Sequence, residues 1–420
     1  MAVQADVAVI GGGAIGLCTA QELQRRGRQV MVIEKGDFGG QCSTGNAGLV
    51  VPSHIVPLAA PGVIGQGLRW LLRRDSPFRI KPRVDLKLLG WLWTFYNACT
   101  EGHVERSIPI LRDLSLESRA LYKDWAAQAN GTSLGFRDSG LLMLHETEKG
   151  RKKDIEEAKR AQDAGLEARV LDRSGVEAQT PHLPSSVTGG VYYPQDGLLE
   201  PHRLIDALER GLRQQDDVTL HPETAVTGFG RENGSIRSIR TTAGTVEAEE
   251  VVLAAGAWSA PLGAELGLNV PIEPAKGYSV TFEVPDGRPG APFILTEEKV
   301  SVTPMGEQVR FAGTLELAGF DTSVDPYRLS PILDVANEYG LRDGPASPET
   351  AEPWVGFRPC TPDGLPVIGP VPQYDNLVLA TGHCMLGISL APITGRLVAE
   401  VMDGESPTVD IDPLRLRRFN

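Results

Sequence analysis

The chain has few cysteines, no excess of positive charge and no long apolar run, and each shortage excludes a class of protein. Its five cysteines (Cys18, Cys42, Cys99, Cys360 and Cys384) include no CxxC pair. No iron–sulfur cluster, zinc knuckle or disulfide framework is therefore signalled, and they read as reduced thiols of a cytoplasmic protein. Lys and Arg number 41 against 54 Asp and Glu, a formal net charge of -13. A nucleic-acid binder needs a basic face to displace counterions, so no nucleic-acid partner is expected. No stretch reaches the roughly 18 apolar residues that a bilayer-crossing helix requires. A strand pattern begins within the first five residues and leaves no room for a signal peptide, so export is not expected.

With 420 residues, 41% hydrophobic and 23% charged, the chain is large enough for two interlocked domains that bury a cofactor between them. Asp6 to Ile10 (DVAVI) reads as a buried strand, followed by GGGAIG, a helical run closed by Gly27, and a second strand ending at Glu34. Gly11, Gly13 and Gly16 fit GxGxxG, with Ala14 and Ile15 opening the helix. The first glycine suits a tight turn, the second a close approach to pyrophosphate, and the third a close helix–strand contact. Glu34 stands 18 residues beyond Gly16, where it can accept hydrogen bonds from a ribose. A lone glycine pattern could be an ordinary turn; strand, helix, strand and terminal acid in register point to a dinucleotide. NAD and FAD both use this motif. Two further strands end in glycine turns, VVLAAGAWS from Val251 and LVLATGHCMLGISLAP from Leu377, and this distant return of the chain favours FAD. The amides of Gly387, Ile388 and Ser389 are placed to face a flavin C2 oxygen, with Gly387 admitting a close approach.

Elsewhere, 111–129 and 149–164 have helical periodicity, while 278–284 and 300–315 alternate as strands. The expected class is α/β with an α+β substrate domain: a Rossmann-like FAD-binding domain from 1–74, 195–265 and 345–420, interleaved with a sheet-bearing substrate domain from 75–194 and 266–344. The segment from Gly67 to Ala98 mixes bulky apolar and basic residues. It reads as helices packed on the core with snorkelling basic ends; the alternative is peripheral contact with the inner face of the cell membrane.

One run poses a sharper question. WVGFRPCTPDGLPVIG, Trp354 to Gly369, sets a guanidinium, Arg358, between Phe357 and Pro359 among apolar residues. An unpaired charge there is costly. Either Arg358 meets an acid of its own chain, such as Glu352 or Asp363, or it awaits the carboxylate of a ligand.

Taken together, the N-terminal unit, the loop CSTGNAGLVVPSHIVPLAAPG, VVLAAGAWS, GFRPCTPDGLPVIG and GHCMLGISLAP resemble the FAD-dependent D-amino acid dehydrogenases, within the wider family of glycine oxidase, sarcosine oxidase and D-amino acid oxidase. The resemblance runs nearly end to end. It implies the glutathione-reductase-like architecture of D-amino acid oxidase, with further FAD contacts from Lys35, Ser43, Thr44, Asn46, Ala47, Gly48, Val226, Ala255, Gly256, Trp258, Gly382 and His383. It also implies that Arg358 grips a substrate carboxylate, a planar fork meeting a planar acid. Tyr278 would offer its hydroxyl to the same carboxylate and His54 would line the pocket, while Lys276 either lies near the flavin or caps a turn. Met385 and Leu386 replace polar residues of glycine oxidase, which suits larger apolar substrates. The implied reaction is hydride transfer from the α-carbon of a D-amino acid, yielding a 2-oxo acid and ammonia, with a quinone or other acceptor taking the electrons. The alternatives are oxidation of D-proline, cis-4-hydroxy-D-proline or sarcosine, and a flavin-carrying electron-transfer subunit with no amino-acid site.

Overall fold

Val3–Ile10 buries Val7 and Val9 on one face and Ala8 and Ile10 on the other. A strand buried on both faces belongs inside a parallel sheet, and this one pairs in parallel with Val30–Ile33 on one side and Gly244–Leu253 on the other. The computed structural model describes residues 3–71, 76–128, 134–180, 183–184, 186–284, 288–338 and 346–419. Among them, eight strands form the first sheet. Val218–His221 extends it in parallel beyond Val30–Ile33, and Leu377–Thr381 pairs in parallel with the far end of Gly244–Leu253. The antiparallel strands Val226–Glu232, Ser235–Thr241 and Val367–Pro370 complete it.

Ala14–Arg25 covers one face and stops where Gly27 takes φ +79°, its N–H returning 2.8 Å to the Gln24 carbonyl. The helix Ala391–Met402 lies against it so closely that a Cβ at Gly395 would come within 2.6 Å of the Cys18 carbonyl oxygen. The N- and C-terminal parts of the chain therefore share one core, which also takes in Leu111, Leu114, Leu121 and Tyr122.

The second sheet has nine strands among the described residues, in the order Trp354–Cys360, Glu273–Glu283, Gln308–Leu317, Val300–Met305, Phe293–Leu295, Leu141–His145, Gly189–Tyr193 and Arg169–Asp172, with Phe78–Ile80 on Gln308–Leu317. The alternation expected over 300–315 is two antiparallel strands joined at Gly306. The helix expected over 149–164 is Glu148–Asp163, capped by Thr147, whose hydroxyl accepts from the Gly150 N–H at 3.0 Å.

The expected domain limits need two corrections. Trp354–Cys360, assigned to the nucleotide-binding domain, is an edge strand of the second sheet, paired antiparallel with Glu273–Glu283. Its neighbours Val367–Pro370 and Leu377–Thr381 do belong to the first sheet, so the chain changes sheets after Cys360. The helix Glu101–Gln128 is longer than 111–129 and packs its buried stripe from Leu111 to Trp125 on the first core, against the Ala391–Met402 helix, while Ile108 and Leu116 touch a smaller cluster on the second sheet. The expected limits at 74, 75 and 345, and residue 129, lie outside the described residues.

Within 67–98 the structure contains the helices Val63–Leu71 and Leu86–Ala98. Asp85 caps the second by accepting from the N–H groups of Lys87 and Leu88. Leu88 and Trp91 pack inward, but Leu68, Leu71, Leu86, Leu89, Trp93 and Tyr96 are exposed. The expectation of helices packed on the core therefore holds for one face of Leu86–Ala98 and not for Val63–Leu71, none of whose residues is buried.

Candidate functional site

A cavity of about 1650 Å³ is lined by both sheets, from the GGGAIG turn at one end to Arg358 and the 383–388 turn. At the first end Gly11 takes φ +113°, and a Cβ there would lie 2.5 Å from the Ala254 carbonyl oxygen. At Gly16 a Cβ would fall 1.8 Å from the Gly11 carbonyl oxygen, so helix and strand meet only because both residues are glycine. The Gly12 N–H donates to Glu34 Oε2 at 2.7 Å, which fixes the acid at the tip of its strand, facing the cavity. Ser43 Oγ accepts from the Ala14 N–H at 3.0 Å and so ties the 43–48 loop to the helix start.

That loop is held from the other side by Arg310, which sequence reasoning missed. Its guanidinium donates to the Thr44 and Asn46 carbonyls at 2.7 and 2.6 Å, and Ser279 Oγ donates to the Gly45 carbonyl at 2.9 Å. Burial pulls the Arg310 pKa down to about 10, a cost met by these carbonyl dipoles. Asn46 Oδ1 accepts from the Gly48 N–H at 2.8 Å.

Of the expected cofactor residues, Gly11, Gly13, Ala14, Ile15, Glu34, Lys35, Ser43, Asn46, Ala47, Val226, Ala255, Gly256, Trp258, His383, Gly387 and Ile388 line the cavity. Lys35 lies with its ammonium 3.3 Å from the centre of the Trp258 ring. Gly16, Thr44, Gly48, Gly382 and Ser389 do not line it and act from behind. Ser389, for example, accepts from the Val51 N–H through its hydroxyl at 3.0 Å. Gly387 has φ -55°, so its value is the space it leaves, not a special backbone. The amides of 387–389 lie in the turn just before the helix that begins at Ala391.

Arg358 is half-buried and lines the cavity. It donates to the Thr314 carbonyl at 2.7 Å and the Gly313 carbonyl at 3.4 Å. Among the described residues no acid lies within ion-pair distance of it: of the two internal partners considered, Glu352 and Asp363, the latter is held by Arg418 at 2.6 Å. Burial lowers the Arg358 pKa, so an anion entering the cavity would relieve it. Two features seat the guanidinium. Gly277 leaves it room, since a Cβ there would lie 2.3 Å from Arg358 Nη1. A register shift between Lys276 and Tyr278 against Gln308–Leu317, with Thr314 at φ +60°, accompanies the two carbonyls that meet it. Bulges re-aim backbone beside sites in this way. Nothing in the residue types at 313 and 314 announces it.

Tyr278 lines the cavity, but the hydroxyl expected to face a substrate carboxylate donates instead to Glu316 Oε2 at 3.1 Å. The reason is electrostatic: Glu316 is buried against Lys276, 3.1 Å away, and a buried carboxylate needs more than one donor. Lys276 donates to the Ser323 carbonyl at 2.9 Å and is not a cavity residue.

His54 lines the cavity with Nδ1 3.1 Å from Ser53 Oγ, and burial lowers its pKa. Ser53 in turn donates to Asp196 through its hydroxyl at 2.5 Å and its N–H at 2.9 Å. Asp196 is wholly buried, which raises its pKa to about 7. His383, buried with Nε2 2.9 Å from Thr394 Oγ1, is pushed by burial to about 3 and stays neutral at physiological pH. It therefore positions the turn as an uncharged ring.

The cysteines are less scattered than the sequence suggests. Cys42 accepts from the Phe357 N–H and donates to the Phe357 carbonyl through its sulfur, both at 3.2 Å. Cys360 and Cys384 touch each other beside Arg358.

Residues 6–401 match the family described as FAD dependent oxidoreductase (DAO). A D-amino acid dehydrogenase from Granulibacter bethesdensis is 32% identical over 419 residues, covering 98% of this chain and 99% of that protein. The D-amino acid dehydrogenase of Methylobacterium nodulans is 33% identical over 423 residues, with 98% and 99% covered. Among solved structures, glycine oxidase from Geobacillus kaustophilus superposes with a TM-score of 0.77 at 26% identity, covering 99% of this chain and 98% of its own. L-Proline dehydrogenase from P. horikoshii, at 20% identity and a TM-score of 0.74 over 100% of this chain and 98% of its own, shares the fold.

Proposed function

We propose, for a chain that belongs to the FAD-dependent oxidoreductase family, the oxidative deamination of D-amino acids to 2-oxo acids and ammonia. The observation that carries this is Arg358: a guanidinium with no acidic partner among the described residues, lining the cavity that begins at the GGGAIG turn. The dinucleotide fits that turn on the chain's own terms, because Gly11 and Gly16 admit no Cβ and Glu34 is fixed at the ribose position. When bound, FAD supplies the two-electron acceptor for the hydride that leaves the substrate α-carbon.

The protein's share is binding and orientation. Arg358 takes the substrate carboxylate in a two-bond grip that sets the position of the α-carbon. With the amine neutral, its lone pair assists loss of the hydride and no side-chain base is needed at carbon. Tyr278, through Glu316 and Lys276, stiffens the Glu273–Glu283 strand beneath the guanidinium. Met385 and Leu386 offer an apolar wall for the side chain. Glycine oxidase and L-proline dehydrogenase share this fold, so substrate class and handedness have to be read from activity. The test is the absorbance of the purified holoenzyme under argon. D-Phenylalanine should bleach the bound flavin and L-phenylalanine should not; bleaching by sarcosine or L-proline alone would replace the reading.

For the acceptor we propose a membrane quinone, reached by peripheral contact with the cytoplasmic face. No helix among the described residues is long and apolar enough to cross a membrane. The exposed Leu68, Leu71, Leu86, Leu89, Trp93 and Tyr96 carry this part, since exposed apolar side chains with basic neighbours suit a bilayer interface. Co-sedimentation with anionic vesicles, lost in Trp93→Glu, is the expected result; wild-type protein left in the supernatant would refute it.

A further inference from the structure

Cys360 and Cys384 are 24 residues apart in the chain, yet their Sγ atoms lie 2.7 Å apart in the interior. The fold causes this meeting. Trp354–Cys360 ends at Cys360, which bridges His383 in antiparallel register, and the tight turn Cys384–Leu386 follows at once. Cys384 takes φ +49°, a conformation that residues with a Cβ seldom adopt. Cys360 and Arg358 are two residues apart on one strand, so their side chains leave the same face. Cys360 is wholly enclosed, while Cys384 is 8% exposed and lines the cavity. Small solutes that enter the cavity therefore meet Cys384, with Cys360 behind it.

We propose that Cys360 and Cys384 form a modification site, a dithiol that a two-electron oxidant such as hydrogen peroxide closes to a disulfide beside the Arg358 guanidinium. Sulfur attack by Cys384 breaks the peroxide O–O bond and forms an S–O bond, releasing water and leaving a sulfenic acid. The Cys360 sulfur then displaces that oxygen: an S–S bond forms, the S–O bond breaks, and the second water leaves with the thiol protons. The two sulfurs together give up two electrons and the peroxide takes them. The Sγ separation has to shorten by only roughly 0.7 Å to reach a bond of about 2.05 Å.

The assignment of attacker and resolver follows from the surroundings. The contact between the two sulfurs and the positive field of Arg358 lower the Cys384 pKa, while the same contact and burial raise that of Cys360, the sulfur that does not line the cavity. A thiolate at Cys384 also offsets part of the Arg358 charge. Closure of the disulfide removes that negative charge and leaves the guanidinium charge unopposed by sulfur when a carboxylate enters. This consequence rests on the proposed role of Arg358; the disulfide itself does not.

The experiment treats reduced holoenzyme with hydrogen peroxide or, separately, with diamide, which withdraws two hydrogens from a dithiol. Each sample is then unfolded, alkylated with iodoacetamide, digested and weighed. Five alkylated cysteines are expected before oxidation, matching the five in the chain. Afterwards, the peptides carrying Cys360 and Cys384 should be joined, and dithiothreitol should restore both thiols. Full alkylation of both after either oxidant, or a bond formed through Cys42 instead, overturns the proposal. In the second measurement, KM for a D-amino acid is followed against pH. Reduced enzyme should lose substrate affinity as alkaline pH populates the Cys384 thiolate, whereas the oxidised enzyme and Cys384→Ser should share a flatter profile. Parallel profiles for reduced and oxidised enzyme overturn the coupling to Arg358. The mass readout decides the disulfide whatever the substrate proves to be.

Discussion

Replacing Arg358 with alanine tests the site most directly. The guanidinium spends donors on the Thr314 and Gly313 carbonyls and keeps others for a ligand. A hydrogen bond to a charged group contributes about 1.5–3 kcal/mol, so a two-bond grip on a carboxylate amounts to about 3–5 kcal/mol. At about 1.36 kcal/mol per decade, kcat/KM should fall about 150- to 5,000-fold. Most of the loss should appear in KM, because the carboxylate is held in the ground state as well as at the transition state, with kcat falling as far as alignment of the α-carbon is lost. Arg358→Lys keeps a charge but not the fork and should recover only part of the loss. Steady-state rates with an artificial dye acceptor measure this, and the flavin content of each variant shows that the cofactor end is intact. A second substrate sharpens the test. The carboxamide of the same D-amino acid has no anion to grip, so wild-type enzyme should discriminate against it and Arg358→Ala should not. An unchanged KM for the D-amino acid in flavin-loaded Arg358→Ala would falsify the assignment.

Gly277→Val puts carbon where the guanidinium lies, 2.3 Å from Nη1, and should raise KM more than about tenfold while flavin binding persists. Titration by substrate of the bound flavin's absorbance checks it. Gly11→Ala forces a Cβ to within 2.5 Å of the Ala254 carbonyl oxygen at φ +113°, and the purified protein should emerge without flavin colour. Asp196 links stability to pH. Burial raises its pKa from 3.8 to about 7, so its contribution is fully present below 3.8 and is lost as pH rises through about 7. Asp196→Asn should therefore gain in Tm relative to wild type as the medium goes from acid to neutral, by the equivalent of up to about 4 kcal/mol. A constant difference across that range, measured by calorimetry, would show that Asp196 does not carry the titration.

How much of this was legible beforehand differs along the chain. The dinucleotide turn could be read because its pattern is local: strand, three glycines, helix and terminal acid follow one another within a few tens of residues, although the contact that excludes a side chain at Gly11 comes from the distant Ala254 carbonyl. The strand Leu377–Thr381 and the helix Glu148–Asp163 were legible for the same reason, since hydrophobic period and capping residue lie within the element. The sheet membership of Trp354–Cys360 was not, because a strand's partner is chosen by long-range pairing and its sequence neighbours belong to the other sheet.

The sequence by itself determined that the N-terminal turn has the pattern of a dinucleotide site and that Arg358 is a charge in need of an anion, since residue type and spacing suffice for both. Only the tertiary structure decided that Asp363 belongs to Arg418, that the Tyr278 hydroxyl belongs to Glu316, and that Arg310 clamps the 43–48 loop. It alone brought Cys360 to Cys384. Buried polar groups pair with whichever donor or acceptor the packing brings within reach, and that choice is made between residues far apart in the chain, where no local pattern records it.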